Sequence, residues 1–272
     1  MKLSINTRFP MNDGLGIPAL GLGVWQTPSG KQCEAAVLAA LEAGYRHIDT
    51  AAIYGNEASV GAALHKSGIP RTEIFVTTKL WNEDHGNPTK AFDKSLKRLQ
   101  LDYVDLYLMH FPVPERNQSW TVMEELHASG KARSIGVSNF TIRHLDELLA
   151  RSKTIPAVNQ VEFHPFLYQK ELLEYCQSKK ILIEAYSPLT HGQRLDDRRL
   201  QQIAGKYAKS TAQILIRRCL QHGLVVLPKS VRRERIEENS AVFDFEIKAD
   251  DMTQLDSLNE NLRTCWDPTD AP

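Results

Sequence analysis

Cysteine is scarce: the chain has four in 272 residues, Cys33, Cys176, Cys219 and Cys265, and no C-x-x-C pair. Isolated thiols in a chain of this size exclude a disulfide framework and read as reduced packing residues of a cytoplasmic protein. Long apolar runs are missing as well. Nothing approaches the ~18 consecutive apolar residues of a membrane span, and no apolar run follows Lys2 as it would in a secretory signal, so no membrane partner is expected. Neither sign of charge is in excess, since 33 Lys+Arg balance 33 Asp+Glu. A zero net charge gives no overall field to attract nucleic acid, and no such partner is expected. The glycine-rich dinucleotide turn is incomplete: Gly21-Leu22-Gly23-Val24-Trp25-Gln26 lacks the third glycine and runs into Pro28. Tyr175 and Lys179 have the Tyr-x-x-x-Lys spacing of short-chain dehydrogenases, but on a surface-helix pattern without that turn. Glu162-x-His164 is too isolated for a metal site, and no metal is expected. No Pro/Gly/Ser-rich linker or low-complexity block divides the chain, so 1–272 reads as one domain.

What the chain does have is a beat. Weakly alternating segments at 3–9 and 15–20 flank Asn12-Asp13-Gly14, a hairpin turn signal. Short apolar runs then follow at 19–24, 47–49, 74–78, 104–109, 134–137, 158–163, 182–185 and 224–227. Segments with helical periodicity lie between and after them, near 31–43, 57–67, 89–99, 119–129, 141–150, 170–179, 198–222, 232–243 and 249–259. Ser210-Thr211 is a cap signal and splits 198–222 into two helices. Short buried strands alternating with helices form a parallel sheet covered on its outer face. Eight such units in this length predict an α/β fold: a (β/α)8 TIM barrel with an N-terminal β-hairpin and extra helices near the C-terminus.

Barrel active sites sit where the strands end, because all the βα loops open on that face. Here the strand ends are polar. The second run finishes in Asp49, with Tyr54 five residues on and Asn56 placed to cap a helix starting at Glu57. The third runs into Lys79 and the fourth into His110. The fifth ends in Ser138-Asn139, the sixth carries Asn159, Gln160 and Glu162, the seventh reaches Tyr186-Ser187, and the eighth ends Pro228-Lys229-Ser230. Each residue alone has an ordinary reading, a solvated lysine or a structural histidine. Seven polar ends on one rim point to a site.

Residue types suggest its chemistry. A tyrosine, with a reference pKa of ~10, is a weak proton donor near neutrality. An ammonium ~4 Å away, at an effective dielectric of ~20, favours the phenolate by about 4 kcal/mol and would bring the phenol close to neutral pH. Lys79 is the candidate ammonium, held by Asp49. His110 would orient a substrate carbonyl oxygen toward Tyr54. A second cluster, Lys229-Ser230-Val231-Arg232-Arg233-Glu234-Arg235, opens a helix with Ser230 as its expected cap. Cations there oppose the helix dipole unless an anion such as phosphate binds among them.

The stretches 44–57, 77–82 (Thr77-Thr78-Lys79-Leu80-Trp81-Asn82), 104–112, 134–139, 159–165 and 227–239 together resemble the aldo-keto reductases, and most nearly the bacterial 2,5-diketo-D-gluconate reductases. The resemblance covers nearly the whole chain, with its motifs in order. It implies a catalytic tetrad of Asp49, Tyr54, Lys79 and His110, with Tyr54 giving a proton while NADPH gives hydride to an aldehyde or ketone. It implies NADPH contacts at Gly23, Val24, Ser138, Asn139, Gln160, Tyr186, Ser187, Leu189, Lys229, Ser230, Val231, Arg232, Arg235 and Asn239. Of these, Ser138, Asn139 and Gln160 fall on the nicotinamide carboxamide, Tyr186 on its ring, and the 229–239 group on the 2′-phosphate and adenine. Trp25, Trp81 and Phe111 would line a pocket for a small carbonyl substrate, and a monomer is expected. Phe111 and Tyr186 stand where the sugar reductases carry tryptophan, and Thr190-His191 replaces a glycine-containing turn, which leaves the substrate open. Two other readings exist: a non-catalytic NADPH-binding regulatory barrel, and a Schiff-base lyase using Lys79. A carboxylate beside Lys79 keeps it charged, which is wrong for that nucleophile.

Overall fold

The computed structural model describes residues 2–272. Two short antiparallel strands come first, β1 (Arg8–Pro10) and β2 (Gly16–Pro18). Eight parallel strands then form the second sheet in chain order: β3 (Leu22–Gly23), β4 (His47–Asp49), β5 (Phe75–Leu80), β6 (Val104–Met109), β7 (Ala132–Ser138), β8 (Val158–Glu162), β9 (Leu182–Tyr186) and β10 (Val225–Leu227). A parallel bridge between Leu20 and Val226, with Val226 N–H donating to Ala19 O at 2.9 Å, joins the last strand to the first and completes the ring. The expected barrel is therefore present.

Helices α1 (Lys31–Glu42), α2 (Glu57–Lys66), α3 (Pro88–Leu99), α4 (Arg116–Ala128), α5 (Ile142–Leu149) and α6 (Lys170–Ser178) alternate with the strands. Two helices, α7 (Arg198–Lys206) and α8 (Thr211–Gln221), separate β9 from β10, and α9 (Arg233–Ser240) and α10 (Ala249–Asp256) follow. Ser210 is the cap that divides α7 from α8: its hydroxyl accepts from Gln213 N while the Gln213 side chain accepts from Ser210 N, a reciprocal capping box. Asn87 caps α3 in the same spirit, accepting from Lys90 N, and Pro88 fills the first helical position, where a missing N–H loses nothing.

Some boundaries differ from the sequence expectation. The hairpin strands are three residues each because Thr7 turns back on Ser4, its hydroxyl accepting from Ser4 N at 2.8 Å. Helix α4 starts three residues early, at Arg116, whose side chain is buried against Val113 O and Glu147. Two caps are also misplaced. Asn56 is at the start of α2, but its side chain makes no capping bond and instead reaches Val24 O, Thr27 O and the Thr50 hydroxyl. Ser230 does not cap α9: the N-cap is Arg232, and the Ser230 hydroxyl accepts from Arg232 N in a tighter turn.

The strand period of two divides the interior from the outer core. Ile48, Val76, Tyr107 and Ile183 face the helices. Phe75, Leu106, Leu108, Val158 and Val225 pack together inside, joined by Met11 and Ile17 from the hairpin, which closes the lower end of the barrel. Apolar filling stops there. Above it, the interior holds His47, Asp49, Lys79, Gln160 and Glu184, all buried.

Helices α2 and α3 approach so closely that a Cβ on Gly61 would lie 2.2 Å from Leu99 O. Gly61→Ala should therefore cost about 1–3 kcal/mol by overpacking. Gly205→Ala, on the exposed face of α7 with nothing within 4 Å of the new Cβ, should gain about 0.5–1 kcal/mol. Urea unfolding of the two variants checks this, and equal midpoints would contradict the packing argument.

Candidate active site

Four residues predicted from three successive strand ends, Asp49, Tyr54, Lys79 and His110, meet at the top of the barrel. Lys79 and Asp49 point inward from neighbouring strands, and Lys79 Nζ lies 2.7 and 2.8 Å from the two Asp49 oxygens. The same ammonium donates to Thr50 O at 2.9 Å and lies 3.4 Å from Tyr54 Oη. Tyr54 closes a 3-10 turn (Ala52–Tyr54) ended by Gly55 at φ 68, and Asn56 ties this loop to the Val24–Thr27 segment. On the outer side of β5, Glu57 accepts from Thr78 Oγ1 and Arg98 Nε, each at 2.6 Å, which fixes the strand that carries Lys79. With its hydrogens directed at Asp49, Thr50 O and Tyr54, Lys79 has no free face for Schiff-base formation.

The acidity expected for Tyr54 is not what the structure gives. Burial, and after it the Asp49 carboxylate, hold the phenol well above its ordinary pKa of 10.0. Burial is the larger cause, and Asp49 adds to it by opposing the field that Lys79 alone would exert on the hydroxyl. Tyr54 is a firmly protonated phenol in the resting protein. His110 is shifted the other way, since burial and then Lys79 keep its imidazole neutral, well below 6.5. Its ring stacks on Phe111 (4.8 Å between centroids) and meets the rings of Tyr54 and Trp81 edge-on at 5.6 and 5.4 Å. Its buried Nδ1 has no hydrogen-bond partner.

These groups line one end of a cavity of about 720 Å³. Trp25, Trp81 and Phe111 line the same cavity, together with Ile53, Cys265 and Trp266, which the sequence did not single out for it. Trp266 packs edge-on against Phe111 at 5.0 Å, and the buried Glu162 carboxylate holds the segment that carries it, accepting from Thr264 N at 2.7 Å and Cys265 N at 3.2 Å. Cys265 is thus a cavity residue, whereas Cys33, Cys176 and Cys219 are buried packing thiols. No pattern marks 264–266 in the sequence, because the segment follows the last helix and belongs to no strand end.

Further along the cavity are Gly23, Ser138, Asn139, Gln160, Tyr186, Ser187, Leu189, Lys229, Ser230, Arg235 and Asn239. Asn139 sits at φ 63; its amide donates to His110 O and its carbonyl oxygen accepts from Tyr186 Oη at 2.7 Å. Three residues of the expected cofactor set do not line this space: Val24, buried in the core, and half-buried Val231 and exposed Arg232, just before α9. Among the described residues neither Lys229 nor Arg235 has a carboxylate partner, whereas Arg233 is paired with Glu42 and Glu237. Two cations without carboxylate partners and a series of polar side chains along one cavity suit an elongated phosphorylated dinucleotide. NADP therefore fits the residues present.

The comparisons agree. The model of the Aldo/keto reductase family matches residues 15–260. The chain belongs to this family. It is 49% identical to glyoxal reductase of Bacillus subtilis (strain 168), over 98% of each chain. It is 46% identical to methylglyoxal reductase DkgA of Escherichia coli (strain K12), over 96% of this chain and 97% of that one. The Bombyx mori aldo-keto reductase in complex with NADP superposes with a TM-score of 0.90 at 38% identity, covering 97% and 96% of the two chains. As an aldo-keto reductase the chain is an NADP-dependent oxidoreductase that reduces carbonyl groups. No helix among the described residues is long and apolar enough to cross a membrane.

The buried pair makes a stability prediction. Lys79→Met leaves Asp49 without its cation and should cost about 3–5 kcal/mol, whereas Asp49→Leu/Lys79→Met removes both charges and should recover most of that loss. Chemical denaturation of the single and double variants measures it; a single-variant loss below about 1 kcal/mol would contradict the pairing.

Proposed function

We propose that the chain reduces small aldehydes and α-dicarbonyl compounds with NADPH, and that Asp49, Tyr54, Lys79 and His110 act as one unit in doing so. The observation that carries the reading is the contact of Tyr54 Oη with Lys79 Nζ at 3.4 Å, beside a neutral histidine, at one end of a cavity with unpaired cations at the other.

Bound NADPH supplies the hydride. The neutral His110 donates an N–H to the substrate carbonyl oxygen and holds it toward Tyr54. As negative charge grows on that oxygen, Tyr54 gives up its proton. The high pKa of the phenol is no obstacle, because an alkoxide is a far stronger base. Lys79 matters at that moment: the phenolate left behind lies beside the ammonium, so the favourable contact is stronger in the transition state than in the ground state. Asp49 holds the ammonium in place throughout.

Ser138, Asn139 and Gln160 are read as the carboxamide contacts, Tyr186 as the shelf for the ring, Ser187 and Leu189 as the path of the pyrophosphate, and Lys229, Ser230, Arg235 and Asn239 as the 2′-phosphate and adenine end. The aromatic walls Trp25, Trp81, Phe111 and Trp266 narrow the near end, which supports a small, partly apolar substrate. The names of the relatives, glyoxal reductase and methylglyoxal reductase, point to the same class. A monomer working in the cytoplasm, with 1–272 as one domain, completes the reading; the single domain is supported by the ring of strands that the Leu20–Val226 bridge closes.

Two measurements test it. Following NADPH consumption with glyoxal, methylglyoxal and 2,5-diketo-D-gluconate, Tyr54→Phe should lower kcat by about 10²–10⁴-fold while NADPH still binds. Retained turnover in that variant would remove Tyr54 as donor, and no turnover by the parent protein on any carbonyl compound would favour a binding role alone. In cofactor titrations, Arg235→Leu should weaken NADPH by about tenfold or more and NADH little, as expected for loss of a charge-assisted phosphate contact. Equal losses for both cofactors would remove that assignment.

A further inference from the structure

The interior holds a second acid that the reaction as described does not use. Glu184 points inward from β9, two residues before Tyr186, and is fully buried. Its Oε2 accepts from Gln160 Nε2 at 2.6 Å, and the same nitrogen donates to Asp49 Oδ2 at 2.8 Å. One amide nitrogen, with two hydrogens, therefore bridges two carboxyl groups. Its oxygen is left as the end available to a ligand in the cavity that Gln160 lines. The other carboxyl oxygen, Oε1, has no hydrogen-bond partner and lies 3.7 Å from His47 Nε2, itself bonded to Thr77 Oγ1 at 3.0 Å.

The groups facing Glu184 are His47 and Asp49 from β4, Lys79 from β5, the neutral amide of Gln160 from β8, and Tyr54 from the loop above. Burial, and then Lys79, push the His47 imidazole down to about 3, so it stays neutral. That leaves one cation, Lys79, which Asp49 already holds through both oxygens. A second ionised carboxyl here would be a buried charge without a counter-ion.

We propose that Glu184 is a positioning residue for carbonyl reduction: held as a neutral acid, it keeps Asp49 the single anion on Lys79 and fixes the Gln160 amide with its oxygen free, and a charge on it turns the site down. This rests on the reduction mechanism above. Burial, and then the Asp49 carboxylate, raise the Glu184 pKa to about 8. Once ionised, Glu184 opposes the negative charge that Tyr54 must carry after giving its proton, a sign already seen in its upward push on the phenol.

The test compares the parent protein with Glu184→Gln, which keeps the shape and removes the titration. With saturating NADPH and glyoxal, kcat of the parent should fall about tenfold through pH ~8, the size expected of one added charge roughly 10 Å away at an effective dielectric of about 20. In E184Q that fall should be missing, whatever the plateau. A second readout needs neither cofactor nor turnover. Because the folded pKa lies above the ordinary 4.5, the stability contributed by protonated Glu184 is complete below about 4.5 and is lost as pH rises through about 8. The melting temperature of cofactor-free E184Q should therefore gain on that of the parent across this window. If the protein reduces no carbonyl compound, the melting comparison still reports on Glu184, so the two readings fail separately. Should E184Q not fold, a carbon-NMR titration of the parent's glutamate side chains should show one carboxyl changing charge near pH 8. An alkaline fall unchanged in E184Q, parallel melting profiles, or glutamates that all titrate below about 6 would overturn the proposal.

Discussion

Everything at the top of this barrel depends on a lysine and an aspartate paired in its buried interior. Lys79 and Asp49 are buried, with both carboxylate oxygens within 2.8 Å of the ammonium. A buried ion pair is seldom a net source of stability, because two ions must be desolvated to form it. Its value here is positional. It fixes one positive centre at a known distance from Tyr54, and around that point His110, Gln160 and the cavity walls take their places.

The barrel makes such a pair possible. Parallel strands bring residues distant in sequence side by side, Asp49 opposite Thr77 and so next to Lys79, with alternate side chains turned inward. The apolar plug from the hairpin and the lower strands fills the other end, so the polar interior is supported from below and open only above. The βα loops can then vary without disturbing the charges beneath them. Glu162 illustrates the division of labour, since it reaches from a strand end to hold the segment carrying Trp266 over the cavity.

Much of this was legible in the sequence, and the reason is periodicity. Eight short apolar runs, seven of them ending in polar groups, point to the barrel and the rim, and Asp49, Lys79 and His110 lie where those runs stop. Less legible was what depends on three-dimensional partners. The acidity of Tyr54 was misjudged because a pairwise estimate with Lys79 omits Asp49 and burial, and together they reverse the sign. Asn56 and Ser230 have capping residue types, but tertiary acceptors claim the first and a tighter turn claims the second. Arg232 shares its run of basic residues with Arg235, yet the turn of α9 carries only Arg235 to the cavity. Glu184 was invisible, since an acid in the middle of a strand reads as an outward residue until the pleat is known.

The central claim is that Tyr54 waits as an undissociated phenol and gains Lys79 as a counter-ion only when it gives up its proton. An ultraviolet difference titration of the parent protein against Tyr54→Phe, both free of cofactor, tests this most directly, because phenolate absorbs where phenol does not. The account predicts no difference signal up to the ordinary tyrosine pKa of 10.0. A phenolate step near neutral pH, present in the parent and absent in the variant, would contradict it.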